Sequence, residues 1–256
     1  MKYNLSPYNQ TVFVMWGNYL IFSLFMFLDF HWWMIPAIFV MMHLFGIMSE
    51  VSVHRYWTHK SYEAPDWMVP LLKFASLLTG QGAIISWVTV HRHHHLYEDK
   101  PGDPHAPLYV KWWKIFLGLL PTDYKKTVVS DLIRRPDRKY FIFEVQYYWM
   151  MWMAIWSVSY LIHPYLLFAI ATGGAFWYIG TSIVNILSHG LYLGKVTYKK
   201  DVATDSVFLQ WLVGAGYHNS HHAQPTSYRY NLDGTRFDHI GWLIKHVLAK
   251  NGKELT

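Results

Sequence analysis

The chain of 256 residues contains no cysteine, and this absence excludes a whole group of chemistries. Without thiols there is no disulfide, no thiolate metal site, no iron–sulfur cluster and no cysteine nucleophile. Any bound metal must therefore be held by nitrogen and oxygen atoms. A Gly-x-Gly-x-x-Gly motif is also missing, so no dinucleotide-binding unit is indicated. If the chain carries out redox chemistry, its electrons must come from a separate protein.

Charged residues are scarce as well. Only 15% of the residues are charged, whereas 53% are hydrophobic and 19% aromatic; an ordinary soluble domain is about a quarter charged. Four apolar stretches, about 11–30, 32–53, 140–162 and 164–188, approach the roughly 20 residues that a membrane-spanning helix needs. No linker, repeat or low-complexity segment divides them. We therefore expect one all-α integral membrane domain over residues 1–256.

Histidine, in contrast, is abundant, with 16 residues in the chain. Nine of them form clusters just outside the apolar stretches: His54 and His59; His91, His94 and His95; His218, His221 and His222; and His189, four residues after Asn185. The repeated i, i+3, i+4 spacing places three imidazoles on one face of a helix. Neutral imidazole binds iron, copper, nickel and zinc. An isolated histidine is more often structural than a ligand, but nine in this pattern predict a site for two metals.

A further apolar segment, about 67–90, lies between the first two histidine clusters. A single crossing there would put these clusters on opposite sides of the bilayer, so we expect it to lie along the interface or to dip in and return. Four spans in two hairpins then place every cluster and both termini on one side. Nine Lys and Arg residues lie between Lys100 and Lys139, and none lies in the short loops of the opposite side. The positive-inside rule predicts that the histidine side is cytoplasmic.

The combined motifs resemble those of the membrane fatty acyl desaturases, in particular the stearoyl-CoA desaturase-like (Δ9) group. The matching segments are His-Arg-Tyr-Trp-Thr-His from His54, His-Arg-His-His-His from His91, Asp-Pro-His from Asp103, Asn-x-x-x-His from Asn185 and His-Asn-Ser-His-His from His218. The resemblance covers about residues 11–239. It implies four transmembrane helices in two hairpins under a cytosolic helical cap.

The resemblance also implies an activity. The family introduces a cis double bond, at Δ9 in this group, into a long saturated acyl chain with O2 and two electrons. It implies two iron ions held by the nine clustered histidines, with Asn185 reaching one through a water molecule. It further implies an acyl lipid or thioester substrate and a separate electron donor, either a ferredoxin or a b-type cytochrome with its reductase.

Four further residues are expected near the metals. Trp87, one turn before His91, resembles the tryptophan that lines the family's acyl tunnel, although an interface anchor is the alternative. Glu50, one turn before His54, is expected to hydrogen-bond a ligand histidine. Asn219 and Asp103 are likewise expected to support ligand histidines without binding a metal themselves.

The remaining histidines are interpreted as structural or solvated. His93 occupies the variable position of the second motif. His31 and His163 lie at the far-side turns, and His43 is interpreted as a hydrogen-bonded helix contact. We expect His105 to cap a turn or orient a supporting group, and His239 and His246 to be solvated.

Three questions stay open from the sequence. Animal enzymes of the family have an Arg-Asp pair before the second motif for the coenzyme A ester, but this chain has Thr89-Val90. A glycerolipid or acyl-carrier-protein substrate is therefore an alternative to coenzyme A. A di-iron hydroxylase of fatty acids, alkanes or carotenoids would share the clusters. A metal transporter would need ligands at membrane depth, where only His43 is found. The net charge of +6 is explained by the membrane topology, so no nucleic-acid partner is expected.

Overall fold

The computed structural model describes residues 6–118, 126–191, 193–199 and 202–250. The α-helices are α1 (Pro7–Leu28), α2 (Met34–Ser49), α3 (Val69–Leu78), α4 (Ile84–Tyr97), α5 (Trp112–Phe116), α6 (Ser130–Ile133), α7 (Arg138–Ile162), α8 (Pro164–Val184), α9 (Val207–Val213), α10 (His218–Ala223) and α11 (His239–Leu243). Three of them continue as π-helical turns, namely α2 over Glu50–Thr58, α8 over Asn185–Gly190 and α11 over Ile244–Leu248. Short 3-10 turns occupy Asp66–Met68 and Lys126–Val129. In this part of the chain there is no β-strand; Asp205 forms only isolated bridges.

Among the described residues, three helical stretches are long and apolar enough to cross a membrane: Pro7–Leu28, Met34–Thr58 and Pro164–Gly190. The fourth predicted span falls on α7. That helix has 25 residues, but it begins with charged side chains and is rich in tyrosine and tryptophan, so it is less apolar than the other three. The first helix starts earlier than expected, because Ser6 caps it by accepting from the Asn9 N–H at 3.2 Å and Pro7 favours the first turn.

The four long helices pack together, with α8 against α1, α2 and α7, and α1 also against α7. The two hairpin turns meet at one end, where the Tyr165 hydroxyl lies 2.9 Å from His31 Nε2. Several tryptophans lie inside this bundle rather than at an interface. The Trp156 indole donates to Asn18 Oδ1 at 2.9 Å, and Trp152 donates to the Leu77 carbonyl at 3.2 Å. These bonds satisfy buried N–H groups and fix α1 and α3 against α7.

The apolar segment after the first histidine cluster does not form a fifth span. It divides into α3, of 10 residues, and the start of α4; α3 extends about 15 Å, half of the roughly 30 Å hydrocarbon thickness. Gly80 and Gly82 have φ values of 75° and 107°, which glycine adopts without steric cost. They turn the chain into α4, and the structure thus agrees with a segment that does not cross.

Residues 119–125, inside the basic stretch that set the expected sidedness, lie outside the described residues, as do residues 1–5, 192, 200–201 and 251–256 of the expected domain.

Candidate metal centre

The first histidine pair depends on a change in helix type. A five-residue separation turns about 140° around an α-helix, which would direct His54 and His59 apart. The structure instead widens into π-helix from Glu50, and the His59 N–H donates to the His54 carbonyl at 3.1 Å, the i→i+5 bond that defines this form. The two ring centroids are 5.0 Å apart. The π-helix ends at Thr58, and His59 is its capping residue.

A second π-helical stretch presents His189. It opens at Asn185, and the Leu191 N–H donates to the Ile186 carbonyl at 2.9 Å. His189 is completely buried, and Asn185 is half-buried one turn before it. Each of the two helices that reach the histidines from the bundle therefore widens where it delivers its ligands.

The other histidines come from α4 and α10. The first turn of α4 is held by Glu144 of α7, whose carboxylate accepts from the Ile84 N–H at 2.9 Å. This bond satisfies one of the free N–H groups at the helix start and anchors the helix that carries His91, His94 and His95.

All nine predicted ligands converge into two adjacent groups. The first histidine cluster is His54, His59, His91, His95 and His221, and the second is His94, His189, His218 and His222. The ligand nitrogens of the four histidines in the second cluster all lie within 4.8 Å of one another, as do those of His54, His59, His91 and His221 in the first. His95 joins the first cluster, because its Nε2 lies 2.9 Å from that of His221 and 3.1 Å from that of His91.

The spacing of the nitrogens fits metal binding. The Nε2 atoms of His59 and His91 are 3.1 Å apart, those of His54 and His221 3.1 Å, and those of His94 and His222 3.2 Å. Two imidazoles that bind one metal at right angles, each at roughly 2.1 Å, have nitrogens about 3 Å apart.

Unsatisfied nitrogens in the second cluster point the same way. The buried Nε2 atoms of His189 and His218 have no hydrogen-bond partner in the described parts of the chain, although buried polar atoms are normally paired. A metal ion would supply the missing interaction. The donor set therefore fits an ion in each cluster.

Burial favours the neutral form of five of the clustered imidazoles. Desolvation, followed by the charge of neighbouring histidines, lowers the pKa of His91, His94, His218, His221 and His222 well below its usual value. Removal from water disfavours the charged imidazolium, and the neutral ring is the form that donates a lone pair to a metal.

Carboxylates orient four of the rings from behind. The pairs are His54 Nδ1 with Glu50 at 2.9 Å, His94 Nδ1 with Asp103 at 2.7 Å, His189 Nδ1 with Asp99 at 2.9 Å and His222 Nδ1 with Glu98 at 3.3 Å. A proton on Nδ1 that is donated to the carboxylate leaves the Nε2 lone pair facing the cluster. Glu50 and Asp103 were predicted to support ligand histidines, whereas Glu98 and Asp99 were missed. Their position directly after the second motif was the available signal.

The arginine of the first motif ties the cluster to the end of the chain. Arg55 is fully buried and donates to the Tyr228 carbonyl at 2.6 Å and to Asp238 at 3.2 Å. Its guanidinium lies 3.7 Å from the Tyr230 ring centroid, and its Nε is 3.4 Å from Glu50. Burial would raise the pKa of Asp238, yet Arg55 and two backbone N–H groups hold it below its usual value. This network fixes Glu50 behind His54.

The arginine of the second motif ties α4 to the end of the first motif. Arg92 donates to the carbonyls of Trp57 and Thr58 at 3.0 and 2.9 Å, and to Asp131 at 2.7 Å. Burial would raise the pKa of Asp131, but hydrogen bonds from Arg92 and Lys60 lower it to about 2. The charged pair therefore persists at neutral pH and holds His59 close to His91.

Trp87 and Asn219 are placed differently with respect to the histidines. The Trp87 ring stacks on His91, with centroids 4.7 Å apart at 21°, and its indole N–H donates to Gln81 at 3.0 Å. Asn219 instead accepts from the Thr197 N–H at 3.0 Å and donates to the Val202 carbonyl at 2.7 Å. It secures the loop that packs behind α10.

The expectation that His239 is solvated is wrong. Its ring stacks on Trp211 at 5.2 Å and 11°, and both of its nitrogens are buried. It could not be placed from sequence because the contact joins α9 and α11. His43 is confirmed as a helix contact, with Nδ1 3.4 Å from the Leu212 carbonyl, and His93 packs against Tyr97 at 4.6 Å.

The remaining histidines agree with their interpretation. The His105 backbone N–H donates to Asp103 Oδ1 at 3.1 Å, and its ring lies 4.2 Å from that of His94, so it closes the turn that aims Asp103. His246 is exposed, as are His31 and His163 at the hairpin turns.

Comparison with known proteins gives consistent matches. The profile of the family described as fatty acid desaturase matches residues 30–238, a range that includes both histidine clusters. The chain is 30% identical to the Delta-9 desaturase-like 2 protein of Arabidopsis thaliana over 78% of this chain and 69% of that protein. It is 31% identical to Delta-9 acyl-lipid desaturase 1 of the same plant, covering 79% and 68%. It is also 26% identical to the chloroplastic palmitoyl-monogalactosyldiacylglycerol delta-7 desaturase, covering 86% and 61%.

Proposed function

The chain belongs to the fatty acid desaturase family, and from this premise we propose that it introduces a cis Δ9 double bond into a long saturated acyl chain. The observation that carries the proposal is the convergence of nine buried or half-buried histidines into two clusters. We propose that each cluster holds one iron ion. Asn185 would reach one of the two ions through a water molecule.

The reaction balances with O2 as the oxidant. The substrate loses two hydrogen atoms from neighbouring methylene groups, and a donor protein supplies two electrons. Together with two protons from solution, these reduce one O2 to two water molecules. Iron held by the two histidine clusters would activate the O2, so that it can oxidise an unactivated C–H bond.

The residues of the chain prepare the site for this reaction. Glu50, Asp103 and Asp99 hold the proton on Nδ1 and thereby fix the tautomer and the direction of each ring. The second cluster is almost completely enclosed, since His94 and His189 have no exposed surface. Such a site excludes water that would consume the oxidant before it reaches the acyl chain. Trp87, flat against His91, is the proposed wall beside which the acyl chain passes.

We propose α7 as the fourth span, with the histidine side cytoplasmic. Only His163 separates α7 from α8, and α7 packs along α8. Its other end reaches the histidine-bearing helix through Glu144 and Ile84. The 25 residues of α7, which bend at Tyr147, run antiparallel to a spanning neighbour, and the hydrocarbon core to be crossed is about 30 Å thick. The basic residues between Lys100 and Lys139 favour the cytoplasmic orientation.

A membrane glycerolipid is the acyl carrier that we propose, in preference to coenzyme A or acyl-carrier protein. The names of two relatives describe acyl-lipid and monogalactosyldiacylglycerol substrates. Thr89 and Val90 lie where the family's coenzyme A enzymes have a charged pair. The Thr89 hydroxyl donates to the Ile85 carbonyl at 2.7 Å. The electron donor is proposed to be a ferredoxin or a b-type cytochrome with its reductase.

Expression in a desaturase-deficient host, with iron and a working electron donor, tests the activity. Mass spectrometry of the fatty acids should show a new monounsaturated product. The matched control is His221→Ala at equal expression, which should give none. An oxygenated product would instead identify a hydroxylase, and metal uptake without a lipid product would favour a transporter. Membranes supplied with labelled glycerolipid or labelled acyl-CoA distinguish the carrier.

A further inference from the structure

The short helix α9, which precedes the third histidine motif, is apolar on the side that faces away from the protein. In α9, Val207, Phe208 and Trp211 are 53%, 66% and 55% exposed, whereas Leu209 and Val213 are fully buried. A helix that is apolar all round is typical of a protein core or of a membrane. The outward face of α9 does not lie in the core of this chain. Its surroundings must therefore be identified by where the helix sits.

Two membrane-spanning helices fix the position of α9. The Leu212 carbonyl is 3.4 Å from His43 Nδ1 on α2. A Cβ atom at Gly46 of α2 would lie 2.5 Å from the Val213 carbonyl oxygen, and one at Gly180 of α8 would lie 2.9 Å from the Val213 side chain. Glycine at both positions therefore leaves the space into which the end of α9 fits.

These contacts set the depth of the helix. His43 is nine residues from the start of α2, and Gly180 is 16 residues from the start of α8. At 1.5 Å per residue these positions lie about 14 and 24 Å from the hairpin end of the bundle. The hydrocarbon core is about 30 Å thick. The end of α9 at Leu212 and Val213 thus contacts the two spans from about the middle of that core to its histidine-side half.

We infer that α9 is immersed in the bilayer and that Val207, Phe208 and Trp211, together with Phe237, form a lipid-facing surface. Phe237 extends it, since its ring centroid is 6.3 Å from that of Trp211, and it is 55% exposed. The partner of this surface is the acyl-chain region of the leaflet on the histidine side. The inference rests on the chain being integral to the membrane.

The immersed helix is joined directly to the second histidine cluster. Its single polar residue, Gln210, is buried, and its side-chain oxygen accepts from the N–H groups of Gly216 and Tyr217 at 2.9 and 3.3 Å. The next residue is His218. The position of α9 in the lipid therefore affects the position of the backbone at the start of α10. A hydrophobic wall at this place fits a substrate that arrives from the bilayer rather than from water.

Site-directed labelling tests the surface without measuring activity. Because the chain has no cysteine, single variants Phe208→Cys and Val207→Cys can each carry one bimane fluorophore. The protein is reconstituted into phosphatidylcholine nanodiscs with doxyl-labelled lipids, and iodide serves as the aqueous quencher. Leu20→Cys, exposed on α1, is the control for a spanning helix, and Thr235→Cys, exposed in a polar loop, is the control for water.

The expected result is that both α9 labels are quenched by doxyl lipids as strongly as the Leu20→Cys label and are at least fivefold less sensitive to iodide than the Thr235→Cys label. Iodide quenching equal to that at Thr235→Cys would overturn the inference, since the surface would face water. Protection from both quenchers would also overturn it, because another protein copy would then cover the surface. The Leu20→Cys label reports separately whether the bundle itself is in the membrane.

Discussion

Replacing Glu50 by glutamine is expected to weaken metal binding in the first histidine cluster and to leave the second unchanged. Both carboxylate oxygens of Glu50 lie 2.9 Å from His54 Nδ1, and the residue is only 3% exposed, so water cannot replace the lost charge. Glutamine keeps the size and one acceptor oxygen but removes the carboxylate, and a carboxylate behind a ligand histidine strengthens metal binding.

The magnitude follows from the geometry. Loss of a carboxylate behind a ligand histidine typically lowers metal affinity ten- to a hundredfold, which is about 1.4 to 2.8 kcal/mol. The fold should tolerate the change, because Arg55 retains Asp238 and the Tyr228 carbonyl. It is therefore not left as an unpaired buried charge, which would cost about 3–5 kcal/mol.

The assay is chelator competition on purified, metal-loaded protein, with the remaining metal counted by mass spectrometry. In Glu50→Gln one of the two metal equivalents should leave at a ten- to hundredfold lower chelator concentration. Asp103→Asn, behind His94 at 2.7 Å, should release the other equivalent. Glu63→Gln, an exposed residue, is the matched control. Wild-type retention of both equivalents in Glu50→Gln would refute the reasoning, as would equal loss of both.

Three other changes have defined outcomes. His93→Ala should keep both metals and much of the activity, whereas His94→Ala should lose both properties; the reverse result in metal counting would show that the ligand assignment of α4 is wrong. Ala37→Trp and Met41→Trp should shorten the accepted acyl chain without moving the double bond relative to the carboxyl end. The reason is that α2 runs away from the metals and Met41 packs against the cluster of Phe45 and Trp177. An unchanged chain-length profile by mass spectrometry would place the acyl tunnel elsewhere. Glu144→Leu should destabilise the protein by about 1–3 kcal/mol in thermal unfolding, since the Ile84 N–H loses its buried acceptor, while Glu144→Gln should cost less; equal stability of the two variants would contradict a capping role.

The convergence of the histidines was predictable because it depends on spacing and sidedness. The i, i+3, i+4 spacing of His91, His94 and His95 needs only an α-helix, and α4 supplies it. The segment before α4 had to return to the same side, and two glycines with positive φ make that turn. In each case a local pattern was sufficient.

The π-helical turns were not predictable, since nothing in the residue types of Glu50–Thr58 marks a change from four- to five-residue hydrogen bonding. The π-helical stretch Glu50–Thr58 is stabilised by contacts distant in sequence, such as those of Arg55 with Asp238. The same holds for Asp99. Its φ of 58° is uncommon for a residue other than glycine, and this backbone conformation turns its carboxylate toward His189.

The lipid-facing surface of α9 was missed for another reason. With seven residues, the helix is far shorter than a span, and a short apolar run is equally compatible with a core. Only its contacts with His43, Gly46 and Gly180 show its depth. Likewise, the solvated interpretation of His239 failed because its stacking partner, Trp211, lies on a different helix.

Metal counting on the purified wild-type protein after iron-replete expression tests the central claim most directly. If the two histidine clusters are the binding sites of a desaturase, the protein should contain two iron ions per chain, and His59→Ala and His218→Ala should each lose at least one. One equivalent of zinc with no iron in the wild-type protein would contradict the account.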